Sequence, residues 1–504
     1  RQRVYTVGEP TPLQRLNLPG IQAPVYAKRE DLGPIRAYKW RGAFNCMAAL
    51  SQEARDKGIV AASAGNHAQG VALAARVLNC HATIFMPRST PEVKQTEVRR
   101  HGGRHVKIML HGDCYDETAA AAHEYTETHG CTFVHPYDDL VTMAGQGTLA
   151  DEVVMSGEGP FDRAYVAIGG GGLAASVACW LKKFWPRIKV IGVEGIDQAS
   201  MKTSIEQGRR VNLDYVDVFC DGTAVHIPGE LTYPLCRELV DEFVTVTNNE
   251  VCQAIRAMWE SSRVVPEPSG AMSLAGFLKQ WNRGEVKPEE KSFVVISGAN
   301  MDFTHLTQIA RQAGIGNHET RYLRISMDSK RGQVLKYLRH IPQDTTLVDV
   351  QYGKTEGNTQ HPVFGIAASD EDLDTIRTTL KKKGIEFEDI SEDDDVRFRM
   401  IHYQPELCQH PLFVHIEFPE RAGAFLDFME RIADLASLCY FNYTYTGERV
   451  GRALVGMEFD TAEDRETIRK RMGAFSKNII RSIREISPEA FQRIMGSRQL
   501  TGNH

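Results

Sequence analysis

The sequence has no hydrophobic run long enough to cross a membrane and no excess of basic residues. A membrane-spanning helix needs about 20 mostly apolar residues, and no segment comes near that length. The formal net charge is −6, whereas a nucleic-acid-binding protein needs a basic face to neutralise phosphates. These two absences predict a protein with neither a membrane nor a nucleic-acid partner.

The cysteines and histidines lack the spacings that bind metals. None of the ten cysteines pairs with another as Cys-x-x-Cys, and none of the 17 histidines lies in a His-Glu-x-x-His pattern. Zinc and redox-dithiol sites are therefore not indicated, and we expect no metal. Scattered cysteines in so long a chain are typical of reduced, buried side chains, which favours the cytoplasm. Because the chain opens with Arg-Gln-Arg, a removed organellar targeting segment stays open as an alternative.

What the chain does have is a regular alternation of strands and helices. Its 504 residues suggest roughly three domains. Between residues 25 and 296, short apolar strands alternate with helices of ten or more residues. This α/β pattern predicts open, twisted, mostly parallel sheets with flanking helices. We expect residues 1–36 to be extended or looping apart from a strand at 25–27, a helix to begin after Gly145-Gln146-Gly147, and residues 310–320 to form a linker.

One lysine stands out, Lys39, between the aromatic residues Tyr38 and Trp40. A desolvated lysine amine has a lowered pKa and is nucleophilic when neutral, so Lys39 is suited to hold an aldehyde cofactor as a Schiff base. Tyr38 could cover the face of an aromatic cofactor ring. The alternative is a solvated lysine at the start of an amphipathic helix.

A run of four glycines, Gly169–Gly172, follows the apolar strand 164–168 and precedes a helix from Ala174. Each glycine costs about 0.5–1 kcal/mol of chain entropy relative to alanine. Four glycines in a packed turn therefore indicate that the turn has a function which requires them. Glycine amides at a helix N-terminus cradle phosphate groups. The pattern is neither Gly-x-Gly-x-x-Gly nor a P-loop, which makes nucleotide binding the weaker option and leaves a flexible linker as the alternative.

Two further polar turns follow apolar strands: Ser63–His67 after 59–62, and Ser297–Asn300 after 293–296. Ligands of α/β proteins bind at the carboxyl ends of strands. Simple turn capping is the alternative for these serines and for Asn66. Three turns and one lysine are what a phosphorylated aromatic aldehyde needs: an imine partner, a phosphate nest, and polar groups for the ring.

These four segments, in this order, resemble the pyridoxal-phosphate (PLP) enzymes of the tryptophan-synthase-β fold type, also called PLP fold type II. The most similar members are the threonine deaminases (threonine ammonia-lyases). The resemblance covers residues 1–316 and implies a catalytic domain with a smaller subdomain at about 37–145 inserted in a larger one.

The resemblance also implies roles for individual residues. Lys39 would carry the cofactor and Ser297 would face the pyridine nitrogen, and these two are the expected catalytic residues. Asn66 would hydrogen-bond the ring hydroxyl, with Tyr38 also at the cofactor. The phosphate would bind to Gly169, Gly170, Gly171, Gly172 and Leu173. The substrate carboxylate would bind to Ser63, Ala64, Gly65, Asn66 and His67. The family usually has serine where this chain has Ala37, and the effect of that change is left open.

A serine opposite the ring nitrogen does not support a full pyridinium charge as an aspartate would. The cofactor is then a weaker electron sink, which disfavours transamination and favours expulsion of a β-substituent. Lys39, once displaced by substrate, is placed to take the Cα proton. Loss of the threonine hydroxyl then gives an enamine that hydrolyses to 2-oxobutanoate and ammonia.

The C-terminal third contains a weak internal repeat. The segments 321–332 and 412–423 both place a glycine, Gly332 and Gly423, between an alternating strand and a helix. Each copy continues in a βαββαβ ferredoxin-like order, which resembles ACT-type amino-acid-sensing domains. We expect two α+β ACT-like regulatory domains at 317–400 and 411–490. The second copy keeps the family's Pro-x-x-x-Gly at Pro419.

We therefore expect a PLP-dependent threonine deaminase for the first committed step of isoleucine biosynthesis. By resemblance, isoleucine would inhibit it, valine would oppose isoleucine, and the protein would be a homotetramer. The alternatives are another enzyme of the same fold (serine deaminase, serine racemase or a β-replacement synthase) and an amino-acid sensor without turnover.

Overall fold

The chain forms two compact units, Arg1–Gly316 and Asn317–His504. The computed structural model describes residues 1–491 except 89, 113–114, 304, 317–319, 329–332, 340–345, 369, 392, 394–395, 397–400, 402, 420–423, 445–449, 474, 476–478, 481 and 489. Throughout this described part, every helix is too short or too polar to span a bilayer.

The first unit is built on two sheets. Its strands are β1 (Leu13–Leu16), β2 (Val25–Arg29), β3 (Ile59–Ala62), β4 (Ala82–Met86), β5 (Val106–Leu110), β6 (Thr132–Phe133), β7 (Arg163–Ala167), β8 (Lys189–Gly195), β9 (Glu242–Val246) and β10 (Ser292–Ile296). The six-stranded sheet has the order β1-β2-β10-β7-β8-β9, and the four-stranded sheet has the order β5-β4-β3-β6. All neighbours are parallel except β1 and β2.

Helices cover both sheets. They are α1 (Lys39–Ala49), α2 (Gln52–Asp56), α3 (Asn66–Val77), α4 (Glu92–Gly102), α5 (Tyr115–His129), α6 (Leu140–Met155), α7 (Gly172–Phe184), α8 (Ser200–Glu206), α9 (Thr232–Leu239), α10 (Asn248–Ser262), α11 (Pro268–Asn282) and α12 (His305–Gly316). Every residue of β2, β3, β7 and β10 is buried, as expected for parallel strands packed on both faces. The predicted fold class is thereby confirmed for this unit.

Three local predictions are wrong. The helix α6 begins at Leu140, where the Asp139 carboxylate accepts the amide of Thr142 at 2.7 Å, so Gly145 and Gly147 lie inside the helix. An added Cβ at Gly145 would lie 2.5 Å from the carbonyl oxygen of Arg41. That glycine therefore marks a close crossing of α1 and α6 and not a turn.

The other two corrections concern the ends of the unit. Residues 305–316 form α12 instead of a linker, because Ile309 and Ala313, four residues apart, both pack into the core. Near the N-terminus, the strand β1 was missed, and it pairs antiparallel with β2.

The second unit contains one eight-stranded sheet. Its elements are β11 (Thr320–Ile325), β12 (Met327–Asp328), α13 (Gln333–Leu338), β13 (Thr346–Gly353), β14 (Thr359–Gln360), β15 (Val363–Ala367), α14 (Asp370–Lys382), β16 (Phe387–Asp389), β17 (Leu412–Pro419), α15 (Ala424–Ile432), β18 (Ser437–Thr444), β19 (Val450–Glu458), α16 (Ala462–Met472) and β20 (Ser482–Glu485). The sheet order is β16-β11-β15-β13-β18-β19-β17-β20.

Each half of this sheet has the predicted ferredoxin-like βαββαβ order, and the halves join through antiparallel pairing of β13 with β18. The paired glycines of the repeat, Gly332 and Gly423, lie outside the described residues. The domain bounds 317–400 and 411–490 stay predictions.

Candidate active site

The carboxyl ends of three buried strands open onto one cavity of about 580 Å³ in the first unit. The chain leaves β3 at Ser63, β7 toward Gly169 and β10 at Ser297, and all three residues line the cavity. β7 and β10 are parallel strands of the six-stranded sheet and end at the same edge of it. β3 belongs to the four-stranded sheet, and its carboxyl end lies at the same cavity. Segments far apart in sequence therefore meet at this point.

All of the residues predicted for a site lie on the cavity wall. They are Tyr38, Lys39, Ser63, Ala64, Gly65, Asn66, His67, Gly169, Gly170, Gly171, Gly172, Leu173 and Ser297. Their individual roles stay predictions.

Lys39 is the first residue of α1, and its amine lies inside the cavity. The Nζ atom donates to the carbonyl oxygen of Pro136 at 2.8 Å and lies 5.3 Å from the ring centroid of Tyr38 and 6.0 Å from that of Tyr137. Burial lowers the pKa of Lys39 to about 8, since removal from water disfavours the charged form. Near neutral pH the amine is thus far closer to its nucleophilic form than a solvated lysine.

A buried ion cluster holds the start of α1 beneath that amine. The Arg41 guanidinium donates to Glu30 Oε2 at 2.8 Å and to Glu152 Oε1 at 2.5 Å, and Lys28 pairs with the same two carboxylates. The side chains of Lys28, Glu30 and Arg41 are essentially inaccessible to water. Charges this deeply buried are tolerated only when paired, so the cluster fixes where the first turn of α1 lies.

The four-glycine turn is sterically required. Gly171 has φ +96°, and an added Cβ at Gly170 would lie 2.3 Å from the ring of Tyr137. At Gly172, the first residue of α7, an added Cβ would lie 2.7 Å from the carbonyl oxygen of Tyr137. The backbone therefore runs along the cavity without side chains, at a helix start whose amides have no partner within the helix. Such an arrangement fits a phosphate group.

Ser297 and two histidines near Lys39 are uncharged. The Ser297 hydroxyl is buried and donates to the carbonyl oxygen of Ser269 at 3.4 Å. Burial and the charge of Lys39 lower the pKa of His67 to about 3, and burial lowers that of His135 to about 4. Because both pKa values are this low, both imidazoles are neutral at physiological pH. His67 donates from Nε2 to the carbonyl oxygen of Val134 at 2.8 Å. This leaves Lys39 better suited than either histidine to move a proton near neutral pH.

Other residues of the cavity wall were not in the predicted set, among them Glu267 and Asn300. Glu267 and Asn300 line the cavity beside Asn66, and Asn66 Nδ2 donates to Glu267 Oε1 at 2.7 Å. Burial raises the pKa of Glu267 to about 8. The available signal was a glutamate immediately before Pro268, the first residue of a helix, but a helix start alone does not show that the side chain turns toward a site.

Ala37 lies outside this cavity wall. Its side chain is buried against Ile35 and Trp40, and its backbone forms a bridge with Gly298. The position where the resembling family usually has a serine thus contributes packing here, with no hydroxyl.

Taken together, the cavity wall has an amine with a lowered pKa, a glycine turn suited to a phosphate, and polar side chains such as Asn66 and Ser297. These features fit a planar aldehyde cofactor that carries a phosphate. Among the residues with described structure, no group of three or more His, Cys, Asp or Glu side chains is placed to hold a metal ion.

Comparison with known proteins agrees with that chemistry. Residues 4–298 match the family model "Pyridoxal-phosphate dependent enzyme", and residues 408–481 match "C-terminal regulatory domain of Threonine dehydratase". A biosynthetic L-threonine dehydratase of Burkholderia multivorans is 37% identical over 472 residues, which is 92% of each chain.

Solved structures match about three-fifths of the chain. The processed form of threonine deaminase isoform 2 from Solanum lycopersicum is 40% identical, with a TM-score of 0.59 over 62% of this chain and 90% of that one. Maize serine racemase is 30% identical, with a TM-score of 0.56 over 61% of this chain and 93% of that one. The chain is a PLP-dependent enzyme and belongs to the biosynthetic L-threonine dehydratases.

Proposed function

We propose that the protein deaminates L-threonine to 2-oxobutanoate and ammonia, the first committed step of isoleucine biosynthesis. The observation that carries this proposal is the meeting of Lys39, the turn Gly169–Gly172 and Ser297 around one cavity. Bound pyridoxal phosphate supplies an electron sink for the electrons released when the Cα–H bond breaks. The side chains and backbone amides of the cavity hold the cofactor, bind the substrate and transfer its proton.

Lys39 and the glycine turn hold the two ends of the cofactor in this proposal. The amine of Lys39 makes the covalent attachment, and the amides of Gly169–Leu173 bind the phosphate. A Lys39 amine that is not engaged with the cofactor would be available inside the cavity. Since its pKa is lowered to about 8, the amine can accept the Cα proton near neutral pH.

Ser297 favours elimination from the bound substrate, and the Ser63–His67 turn before α3 binds the substrate carboxylate. Ser297 offers the ring nitrogen a neutral hydroxyl and no negative charge, which limits electron withdrawal by the ring and favours loss of the β-hydroxyl over transamination. The Ser63–His67 turn places backbone amides at the start of α3, where a substrate carboxylate can accept hydrogen bonds. Water then completes hydrolysis of the released enamine.

The second unit makes the reaction responsive to a pathway product in this proposal. The regulatory family match at residues 408–481 supports amino-acid regulation, and we take isoleucine as the inhibitor and valine as its opponent. A homotetramer and a cytoplasmic location complete the proposal. The free cysteines of the described residues, several of them buried, suit a reducing compartment.

The deciding experiment measures 2-oxobutanoate formation from L-threonine, with L-serine and O-acetylserine compared at equal concentration. We expect threonine to have the highest kcat/KM. The variant Lys39→Ala should lose both the absorbance of the covalently held cofactor and turnover, while Lys182→Ala, a lysine outside the cavity, should keep both. A Lys39→Ala protein with the wild-type spectrum and rate would rule out the assignment of Lys39.

The same assay tests the rival functions. Faster elimination or racemisation of serine would indicate a serine-specific enzyme of the same fold. Isoleucine binding by calorimetry without turnover of any of the three amino acids would indicate a sensor.

A further inference from the structure

Asn66, Asn300 and Glu267 form a hydrogen-bonded chain along one wall of the cavity. Asn300 Nδ2 donates to Asn66 Oδ1 at 2.7 Å, and Asn66 Nδ2 donates to Glu267 Oε1 at 2.7 Å. Asn66 starts α3, Glu267 caps α11 and Asn300 follows β10. Three separate elements therefore meet at a single amide.

Backbone groups fix the direction of every bond in this chain. Asn300 Nδ2 also donates to the carbonyl oxygen of Ile35 at 2.6 Å, and a carbonyl can only accept. The side-chain nitrogen of Asn300 must therefore lie between Ile35 and Asn66, and the atom of Asn66 that faces it must be the oxygen. At the other end, the backbone amide of Asn300 donates to Glu267 Oε2 at 3.0 Å. Both carboxyl oxygens of Glu267 therefore accept hydrogen bonds, and these two bonds favour the ionised carboxylate against the burial that raises its pKa.

Asn66 is thus held from both sides. Its oxygen is occupied by Asn300 and one of its two N–H groups by Glu267, so the second N–H is the only polar atom it can turn into the cavity. An isolated asparagine could present either its oxygen or its nitrogen to a ligand. Here the flip that would present oxygen would leave two donors facing each other at Asn300.

The packing around Glu267 holds its side chain in the cavity wall. Glu267 is 4% exposed, and its backbone amide donates to the carbonyl oxygen of Gly298 at 3.1 Å. An added Cβ at Gly298 would lie 2.5 Å from Glu267 Oε1, so only glycine at 298 leaves room for the carboxylate.

We propose that Glu267 and Asn300 are positioning residues that oblige Asn66 to offer an N–H, and never its carbonyl, to the ring oxygen of the cofactor. A donor at this position stabilises the ring oxygen as its anion, whereas an acceptor would stabilise the protonated phenol. The inference rests on the proposed cofactor site, in which Asn66 faces that oxygen. It adds that the two neighbours select which ionic form of the ring is bound.

The test uses the full-length protein loaded with pyridoxal phosphate and the variant Glu267→Gln. Glutamine has the same shape but replaces one acceptor oxygen with a donor, so Asn66 or the Asn300 amide loses its partner. We expect the cofactor to dissociate about tenfold more readily, the effect of one lost buried hydrogen bond. We also expect the visible band to lose intensity to a band at shorter wavelength, the signature of a protonated ring oxygen.

The matched control is Glu194→Gln. Glu194 is 1% exposed, accepts two backbone amides at 2.9 Å from Met201 and Lys202, and has its pKa raised by burial to about 8, as Glu267 does. It does not line the cavity. Glu194→Gln should keep the wild-type cofactor affinity and spectrum, whatever its melting temperature.

A second variant covers the case in which Glu267→Gln does not fold. Asn300→Ser removes the side-chain amide but keeps the backbone N–H to Glu267, and we expect the same spectral change. A folded Glu267→Gln or Asn300→Ser protein with wild-type affinity and spectrum would overturn the proposal, as would equal losses in Glu194→Gln. If wild-type protein itself takes up no pyridoxal phosphate, the proposed function fails instead.

Discussion

Burial sets the chemistry of the single residues in this cavity. Lys39 has its pKa lowered to about 8 because its amine is partly withdrawn from water, and the pKa values of His67 and His135 are lowered mainly by burial. A carboxylate responds in the opposite direction, and the pKa of Glu267 rises to about 8. The same desolvation therefore makes a base of the lysine and keeps the imidazoles out of proton transfer near neutral pH.

The lowered pKa of Lys39 predicts how cofactor uptake depends on pH. Only the neutral amine attacks an aldehyde, so the uptake rate should rise with pH and level off above about 8. The rise between pH 6 and pH 8 should be roughly fiftyfold, the increase in neutral fraction for a group of that pKa. Stopped-flow absorbance after addition of pyridoxal phosphate to apoprotein measures the rate.

Nα-acetyl-lysine, reacted with pyridoxal phosphate in parallel, corrects for titration of the aldehyde itself. Its rate should continue to rise toward pH 10, where a solvated lysine titrates. A protein curve that follows the model amine would contradict a desolvated Lys39.

Individual elements depend on glycine for two different reasons. In the turn before α7, Gly171 adopts φ +96°, a conformation that other residues adopt only with strain. In α6, Gly145 is helical and is required because the backbone of α1 passes within contact distance. A glycine in a sequence can thus signal a ligand turn or a helix crossing.

Gly171→Ala tests the turn. The new Cβ would lie 2.6 Å from Met201 Cε and 2.8 Å from Thr232, and the positive φ adds strain of about 1–2 kcal/mol. We expect the variant to lose about 1–3 kcal/mol of unfolding free energy and to bind pyridoxal phosphate more weakly. Urea denaturation of the apoprotein and a cofactor titration measure the two effects.

Gly147→Ala, inside α6, is the matched control. Its Cβ would meet Ser176 at 3.6 Å, an ordinary contact distance, so the better helix propensity of alanine should leave stability unchanged or raised by about 0.5–1 kcal/mol. Equal losses in both variants would show that the turn at Gly171 carries no special constraint.

The buried ion cluster at the start of α1 gives a second test of a single structural element. Arg41→Met leaves Glu30 buried without its main partner, and removal of one member of a buried pair costs about 3–5 kcal/mol. Arg283→Met removes an exposed arginine that pairs loosely with Glu285 at 3.9 Å and should cost less than about 0.5 kcal/mol. Chemical denaturation of the two variants should separate them clearly, and similar midpoints would contradict the assigned role of the cluster.

At the scale of the whole molecule, each unit has its own core. The second unit buries apolar side chains from both of its halves in one continuous cluster beneath the joined sheet. A ligand that reshapes one half must therefore act on packing shared with the other, which suits a module with two stable arrangements.

Steady-state kinetics test this regulation directly. We expect isoleucine to shift the threonine saturation curve to higher concentration by about 5–150-fold, which corresponds to a coupling free energy of about 1–3 kcal/mol, and valine to reverse the shift. Leucine, an isomer of isoleucine, serves as the control and should shift the curve less. Superimposable curves with and without isoleucine would contradict the proposed effector.

Local pattern was sufficient for the elements whose signal lies in adjacent residues. The apolar strand Ile59–Ala62, the polar turn behind it and the helix that follows were all predicted, and so was the glycine turn before α7. It was insufficient for β1 and α12, because those elements are stabilised by partners elsewhere in the chain. Ala313 lies in the predicted linker 310–320, and only the core shows that it packs there beside Ile309.

By itself, the sequence singled out a lysine between two aromatic residues and predicted that a four-glycine turn and two serine-led turns would follow apolar strands, since each is a local pattern with a local physical reason. Only the tertiary structure decided which side chains meet across the cavity. Asn66 and Glu267 lie 201 residues apart and are joined at 2.7 Å, because the end of β3 in one sheet and the start of α11 meet at the wall of one cavity. Pairings of that kind have no counterpart in local sequence, and they determine which way Asn66 faces.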